Sequence, residues 1–131
     1  MGRQVILDTN LLIDFERGRF NPERLDDDLA VAAITVAEFR IGIELADSEQ
    51  RTEARSRRLM GLIGSVAVLP YTQATAIHHA RLMAYARKTG RQRGRHDVVI
   101  AAHAAETGRV LLSRDAVARF GGLPGVTALE R

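Results

Sequence analysis

The sequence predicts an α/β fold, with about five mostly parallel strands flanked by helices. Three observations predict it. Apolar runs of strand length recur at 4–7, 29–34, 66–69 and 110–112. Segments of helical length and pattern separate them, which is the alternation of a parallel sheet covered on both faces. Acidic residues fall at the element boundaries, and open α/β sheets form their ligand sites at the carboxyl ends of the strands.

The first strand, Gln4-Val5-Ile6-Leu7, stops at Asp8 and turns into a short helix over 11–17 that ends at Gly18. Asn21-Pro22 starts a turn, and 23–28 reads as a further helical turn. The second apolar run, 29–34, fits a strand buried on both faces. It ends at Thr35, and a helix follows from Val36 to about Asp47. A charge-rich helix covers 48–63 and closes at Gly64. Residues 66–69 are the third strand, followed by Pro70. A helix over 72–88 ends at Gly90, a basic loop spans 91–95, and a helix over 97–107 closes at Gly108. Val110-Leu111-Leu112 is the fourth strand, a short helix covers 116–119, and 126–129 is a marginal fifth strand. No internal repeat, low-complexity tract or linker interrupts the pattern.

At 131 residues the chain fits one domain with a sizeable core. No apolar run is long enough to span a bilayer, and the amino terminus lacks the apolar segment of a signal peptide, so a cytoplasmic protein is expected. With no Cys, disulfides, thiolate metal sites and thiol nucleophiles are excluded. Any metal is left to oxygen or imidazole ligands. The formal charge of +3 is mild but unevenly spread. Arg87, Lys88, Arg91, Arg93 and Arg95 form a run without an acid, and without it acids outnumber cations in the rest of the chain. Such a run is either a solvated loop or a footprint for phosphate.

Four acids sit at element boundaries and are the candidates for chemistry: Asp8, Glu38, Asp97 and Asp115. Each has a structural alternative. Asp8 and Asp97 stand where helix N-caps stand. Thr35-x-x-Glu38 has the form of a capping box. At about 3.6 residues per turn, Glu38 falls opposite Arg40, Glu44 and Asp47, on the side of Ile41 and Leu45, where a carboxylate needs a partner. Asp97 projects toward Ile100, Ala101 and Ala104, opposite His103, Glu106 and Thr107. In a parallel sheet all four boundaries converge on one edge. Carboxylates about 4 Å apart repel by on the order of 4 kcal/mol per pair at an effective dielectric near 20. Such a group must protonate, separate or bind a cation, and oxygen donors select Mg²⁺ or Mn²⁺.

Asp8-Thr9-Asn10, Thr35-x-x-Glu38, Arg95-His96-Asp97-Val98-Val99-Ile100-Ala101-Ala102-His103 and Leu111-Leu112-Ser113-Arg114-Asp115 together closely resemble the PIN-domain ribonucleases. More narrowly they resemble the VapC toxins of bacterial toxin–antitoxin pairs. The resemblance covers the whole chain in order. It implies a three-layer PIN-like fold and Mg²⁺- or Mn²⁺-dependent endonucleolytic cleavage of RNA, leaving a 5′-phosphate and a 3′-hydroxyl. It implies Asp8 and Asp97 as metal ligands, Glu38 as a ligand directly or through water, and Asp115 as the most variable, supporting acid. Thr9, Asn10 and Ser113 would orient the ligands. A cognate antitoxin and a second copy of the chain are the implied partners, with the helices at 11–15 and 36–46 as candidate docking faces.

Arg91, Arg93 and Arg95 lead straight into Asp97 and are candidates to grip RNA phosphates. With few aromatics and no Trp, base stacking is a minor grip, and a structured RNA read by backbone and shape fits better. His96 reads as solvent-facing or capping, His103 as a wet residue on the polar helix side, and Asp14 as exposed or ion-paired. His78 and His79 receive no role. Two rivals stand beside the nuclease. A phosphatase or phosphoacceptor domain would want a second Asp two residues after the first, where this chain has Asn10, or a late Lys, where it has only Lys88. An RNA-binding or assembly module without catalysis would not need all four acids.

Overall fold

The structure is a computed structural model describing residues 2–131. In chain order the elements are β1 (Gln4–Leu7), α1 (Thr9–Glu16), a 3₁₀ turn (Pro22–Arg24), β2 (Asp28–Ala32), α2 (Ala33–Glu44), α3 (Glu49–Ile63) and β3 (Ala67–Leu69). There follow α4 (Gln73–Thr89), α5 (Arg95–Thr107), β4 (Val110–Ser113), α6 (Ala116–Phe120) and β5 (Ala128–Glu130). The strands lie in the order β3-β2-β1-β4-β5, and every pairing is parallel. The expected fold and the marginal fifth strand are both present. No helix among the described residues is long and apolar enough to cross a membrane.

Alternation along β1 fills both faces of the sheet. Val5 and Leu7 pack with Leu11 and Leu12 of α1, Phe39 and Ile43 of α2, and Leu59 and Leu62 of α3. Ile6 faces the other way, against Val98 and Ala101 of α5, Leu82 of α4 and Phe120 of α6. Each large apolar side chain removed from water contributes about 1.5–3 kcal/mol. The helices α4 and α5 end where the sequence places Gly90 and Gly108. Both take the left-handed conformation, with φ of 71° and 72°, which glycine adopts without a Cβ clash.

Three expectations need correction. The second strand was expected to run to Ile34, but α2 already starts at Ala33. The last pairing of β2 is Ala32 with Leu69, the final residue of β3, and Ala33 beyond it is a strong helix former. Secondly, α2 buries Thr35, Phe39 and Ile43, whereas Ile41 and Leu45 stand in solvent at 56% and 78% exposure. Glu38 therefore lies on the flank of α2, not among buried apolar side chains. Thirdly, His103 is buried, because α4 covers the side of α5 that its neighbours make look polar. Glu106 on that side accepts a 2.6 Å hydrogen bond from the Thr75 hydroxyl of α4.

Candidate active site

The chain leaves β1 for β2 on one side and returns to β4 on the other, so the strand order reverses between β1 and β4. In open α/β sheets that crevice is the ligand site. The carboxyl ends of β1 and β4 deliver Asp8 and the Ser113–Asp115 segment. The second turn of α2 and the first turn of α5 bring Glu38 and Asp97 toward the same edge.

Asp8 is fully buried. It is the N-cap of α1 and a site residue at once. One oxygen accepts from the Thr9 backbone N–H at 2.7 Å, and the other accepts from the Ser113 hydroxyl at 2.7 Å. Burial raises the pKa of this carboxyl, and the Ser113 hydrogen bond, Arg119 and the Thr9 amide partly offset it. Asp97 is the third residue of α5. Its helix is capped by Gly94, which has no side chain to contribute, so Asp97 is not the N-cap. Burial raises its pKa too, Arg119 opposes that, and the nearby charges of Asp8 and Glu38 add to it. The acids thus feel one another across the edge.

Glu38 does not form the expected capping box. Ala32 is the N-cap of α2 and makes no side-chain cap bond. Thr35 and Glu38 turn instead to the Thr9 hydroxyl, which lies 3.3 Å from the Thr35 hydroxyl and donates to Glu38 Oε1 at 3.1 Å. The other Glu38 oxygen lies 3.1 Å from His96 Nδ1. His96 is thus neither simply wet nor a cap; it holds Glu38 from the α5 side. Asp115 is half-exposed, makes no side-chain cap bond, and is the outermost of the four.

The supporting residues divide the work differently from expectation. Ser113 orients Asp8 directly. Asn10 acts one step further out, donating from Nδ2 to Ser113 Oγ at 3.2 Å and accepting the Arg114 amide on Oδ1 at 3.3 Å. The Thr9 side chain serves Glu38, and only its backbone serves Asp8. Asp14 pairs with Arg114 at 2.6 Å, as one of its two readings had it.

The basic run is not a uniform phosphate grip. Arg93 donates to the carbonyls of Arg119 and Gly121, both at 2.7 Å. Arg91 donates to Ala118 O at 2.9 Å. Both guanidinium groups therefore cap the carboxyl end of α6. Arg95, the first residue of α5, is exposed.

Sequence reasoning missed Arg119. Its Nη1 lies 3.6 Å from Asp8 Oδ2 and 3.7 Å from Asp97 Oδ1, while Nε lies 3.7 Å from Asp115 Oδ2. The i,i+4 spacing of Asp115 and Arg119 was the only signal in the sequence. Among the described residues no three Asp, Glu or His side chains already form a coordination shell. Instead one cationic nitrogen stands between two carboxylates. The donors are all oxygens, which suits a hard divalent ion. A separate groove lined by Glu16, Leu45, Asp47, Arg51, Arg55 and Arg58 lies away from these acids.

The PIN domain family model matches residues 5–120. Ribonuclease VapC5 of Mycobacterium tuberculosis is 32% identical over 128 residues, covering 95% of this chain and 91% of that protein. The structure of VapBC-1 from nontypeable Haemophilus influenzae superposes with a TM-score of 0.83 at 26% identity, covering 96% of each chain. A toxin–antitoxin complex from Klebsiella pneumoniae gives a TM-score of 0.70 at 26% identity, covering 94% of this chain and 95% of that one. The four acid-bearing blocks and their convergence at the β1–β4 crevice therefore have a family: the chain belongs to the PIN domain proteins, among the VapC ribonucleases.

Proposed function

We propose that this chain is a single-domain, divalent-metal-dependent endoribonuclease. It acts in the cytoplasm as the toxin of a toxin–antitoxin pair, blocking translation by cutting a structured RNA such as tRNA or rRNA. The observation that carries the reading is the pair Asp8 and Asp97, which face one cationic nitrogen at 3.6 and 3.7 Å. Mg²⁺ usually takes one or two carboxylates from a protein, which these two acids can supply, and keeps waters besides; Mn²⁺ fits the same donors.

Asp8 and Asp97 hold the ion in this reading, Glu38 joins them, and Asp115 supports from the outer side. When bound, the ion supplies Lewis-acid polarisation of the scissile phosphate and lowers the cost of deprotonating water. The protein's part is positional. Ser113 and the Thr9 amide fix Asp8 in a single orientation, so little reorganisation is needed at the moment of reaction. Glu38, partly exposed and held by Thr9 and His96, is placed to take the proton of the attacking water. The antitoxin and a second copy of the chain are the expected partners. Ile13 on α1, Ile41 on α2 and Leu45 just after α2 offer exposed apolar surface for them.

Purified protein is expected to cleave RNA with Mg²⁺ or Mn²⁺ and to stop in chelator. Asp97→Asn should lower the cleavage rate by roughly 1,000-fold or more, the scale of losing a principal charge-stabilising group. Its circular dichroism and its affinity for RNA should stay close to wild type. Normal cutting by that variant would remove Asp97 from the mechanism.

A further inference from the structure

Arg119 presents an unusual combination of a fixed root and a loose tip. It sits in the five-residue helix α6, too short to persist alone, which is anchored by the buried Phe120. Arg93 and Arg91 cross from the basic loop to bind the carbonyls of Ala118, Arg119 and Gly121, so the backbone that carries Arg119 is pinned. The side chain is 40% exposed, and its ion-pair partners are three carboxylates. All three of its contacts, at 3.6–3.7 Å, are longer than a hydrogen bond. Charge alone holds the tip in place. That contrasts with the two short hydrogen bonds that fix Asp8.

We propose that Arg119 is an internal counter-cation that competes with the divalent ion for Asp8, Asp97 and Asp115, so that metal binding requires its side chain to swing out of the crevice. This inference rests on the metal-centre reading above and deepens it by naming what sets the affinity. A guanidinium does not lose its proton in a protein, so it cannot make room by neutralising itself. A unit charge beside a doubly charged ion is repelled at any dielectric the crevice could have. The three methylenes between the pinned backbone and the guanidinium let the group leave without unfolding α6. In the metal-free protein it limits the mutual repulsion of the acids and keeps the crevice assembled.

The test needs no RNA. Full-length protein stripped with chelator is titrated with Mn²⁺ by calorimetry, as wild type, Arg119→Gln, Arg119→Lys and Asp97→Asn. Arg119→Gln should bind Mn²⁺ about tenfold more tightly than wild type, and Arg119→Lys should stay within about threefold of it. Equal or weaker binding by Arg119→Gln would overturn the proposal. Asp97→Asn separates the two levels. If it binds Mn²⁺ as wild type does, the metal-centre reading fails. If it loses Mn²⁺ while Arg119→Gln matches wild type, only the counter-cation fails. Wild-type protein gives a second readout that needs no variant to fold. The nuclear magnetic resonance signal of Arg119 Nε should shift on saturation with Mg²⁺, and an unmoved signal with Mg²⁺ bound would also end the idea.

Discussion

Arg109 and Arg119 sit at opposite ends of the same parallel sheet. Arg109, just before β4, donates from Nη1 to Asp28 O at 2.9 Å and to Val5 O at 3.1 Å, with Asp28 Oδ1 at 3.4 Å. Its side chain is only 11% exposed, and it ties the amino ends of β1 and β2 together. Arg119, after the strand, meets three carboxylates at 3.6–3.7 Å. One guanidinium is closed off by carbonyls that cannot move without breaking the sheet. The other is held by charges that a different cation can satisfy. The residue type is the same, but the permanence of the partners separates a structural role from a functional one.

The widest difference should appear in stability. Arg109→Ala leaves backbone carbonyls at the sheet's amino edge without their donor. It should cost about 1–3 kcal/mol, a fall in melting temperature of roughly 4–11 °C. Arg119→Ala should cost less than about 1 kcal/mol, as exposed ion pairs do. Urea melts in chelator measure both. Equal losses would erase the distinction between the two ends.

Buried titratable groups sharpen the contrast. At the acid edge burial raises the pKa of Asp8 and Asp97, and a bound cation would reverse that. His103, further along α5, has no such relief. Its Nδ1 lies 4.0 Å from Glu106, whose oxygen already accepts from Thr75. Its Nε2 has no hydrogen-bond partner, and the Tyr71 ring meets it edge-on at 6.4 Å. Burial lowers its pKa, and Glu106 only partly opposes this. The unfolded chain therefore binds this proton first as pH falls. Stability is lost as pH drops below the unfolded value of about 6.5 toward the lower folded one. The contribution is at most one proton, or about 1.4 kcal/mol per pH unit. His103→Leu should flatten that part of the profile in melts between neutral and mildly acidic pH. An unchanged slope would mean that His103 is accessible to protons in the folded state.

What the sequence revealed follows a physical rule. Asp8 and Asp97 were legible because each ends or begins an element whose apolar pattern fixes its place, and Gly90 and Gly108 mark helix ends by their conformational freedom. The start of α2 was not legible, because an Ala-Ala-Ile run serves strand and helix equally, and only the end of β3 at Leu69 leaves β2 without a partner after Ala32. His103 was misplaced because helical periodicity groups it with Glu106 and Thr107, while the burial comes from α4, which only tertiary packing reveals. Arg119 and Arg93 were invisible for the same reason. Arg119 looks like half of a surface pair with Asp115, and Arg93 looks like any member of a basic run. Their real partners lie on other elements.

The smallest effect tests the comparison within the basic run itself. Arg93, like Arg109, spends its fork on backbone carbonyls, whereas Arg95, two residues before Asp97, is exposed and remains available to phosphate. Each phosphate neutralised by a cation lowers the slope of log affinity against log salt by about 0.7 to 0.9. Measured on the inactive Asp97→Asn background, Arg95→Ala should therefore reduce the steepness of RNA binding by about that amount. Arg93→Ala should leave the slope in place and instead loosen α6, seen as a lower melting temperature. If the slope changed for Arg93→Ala and not for Arg95→Ala, the carbonyl contacts of Arg93 would be dispensable in solution, and permanence of partners would no longer distinguish the arginines that build this protein from those that meet its substrate.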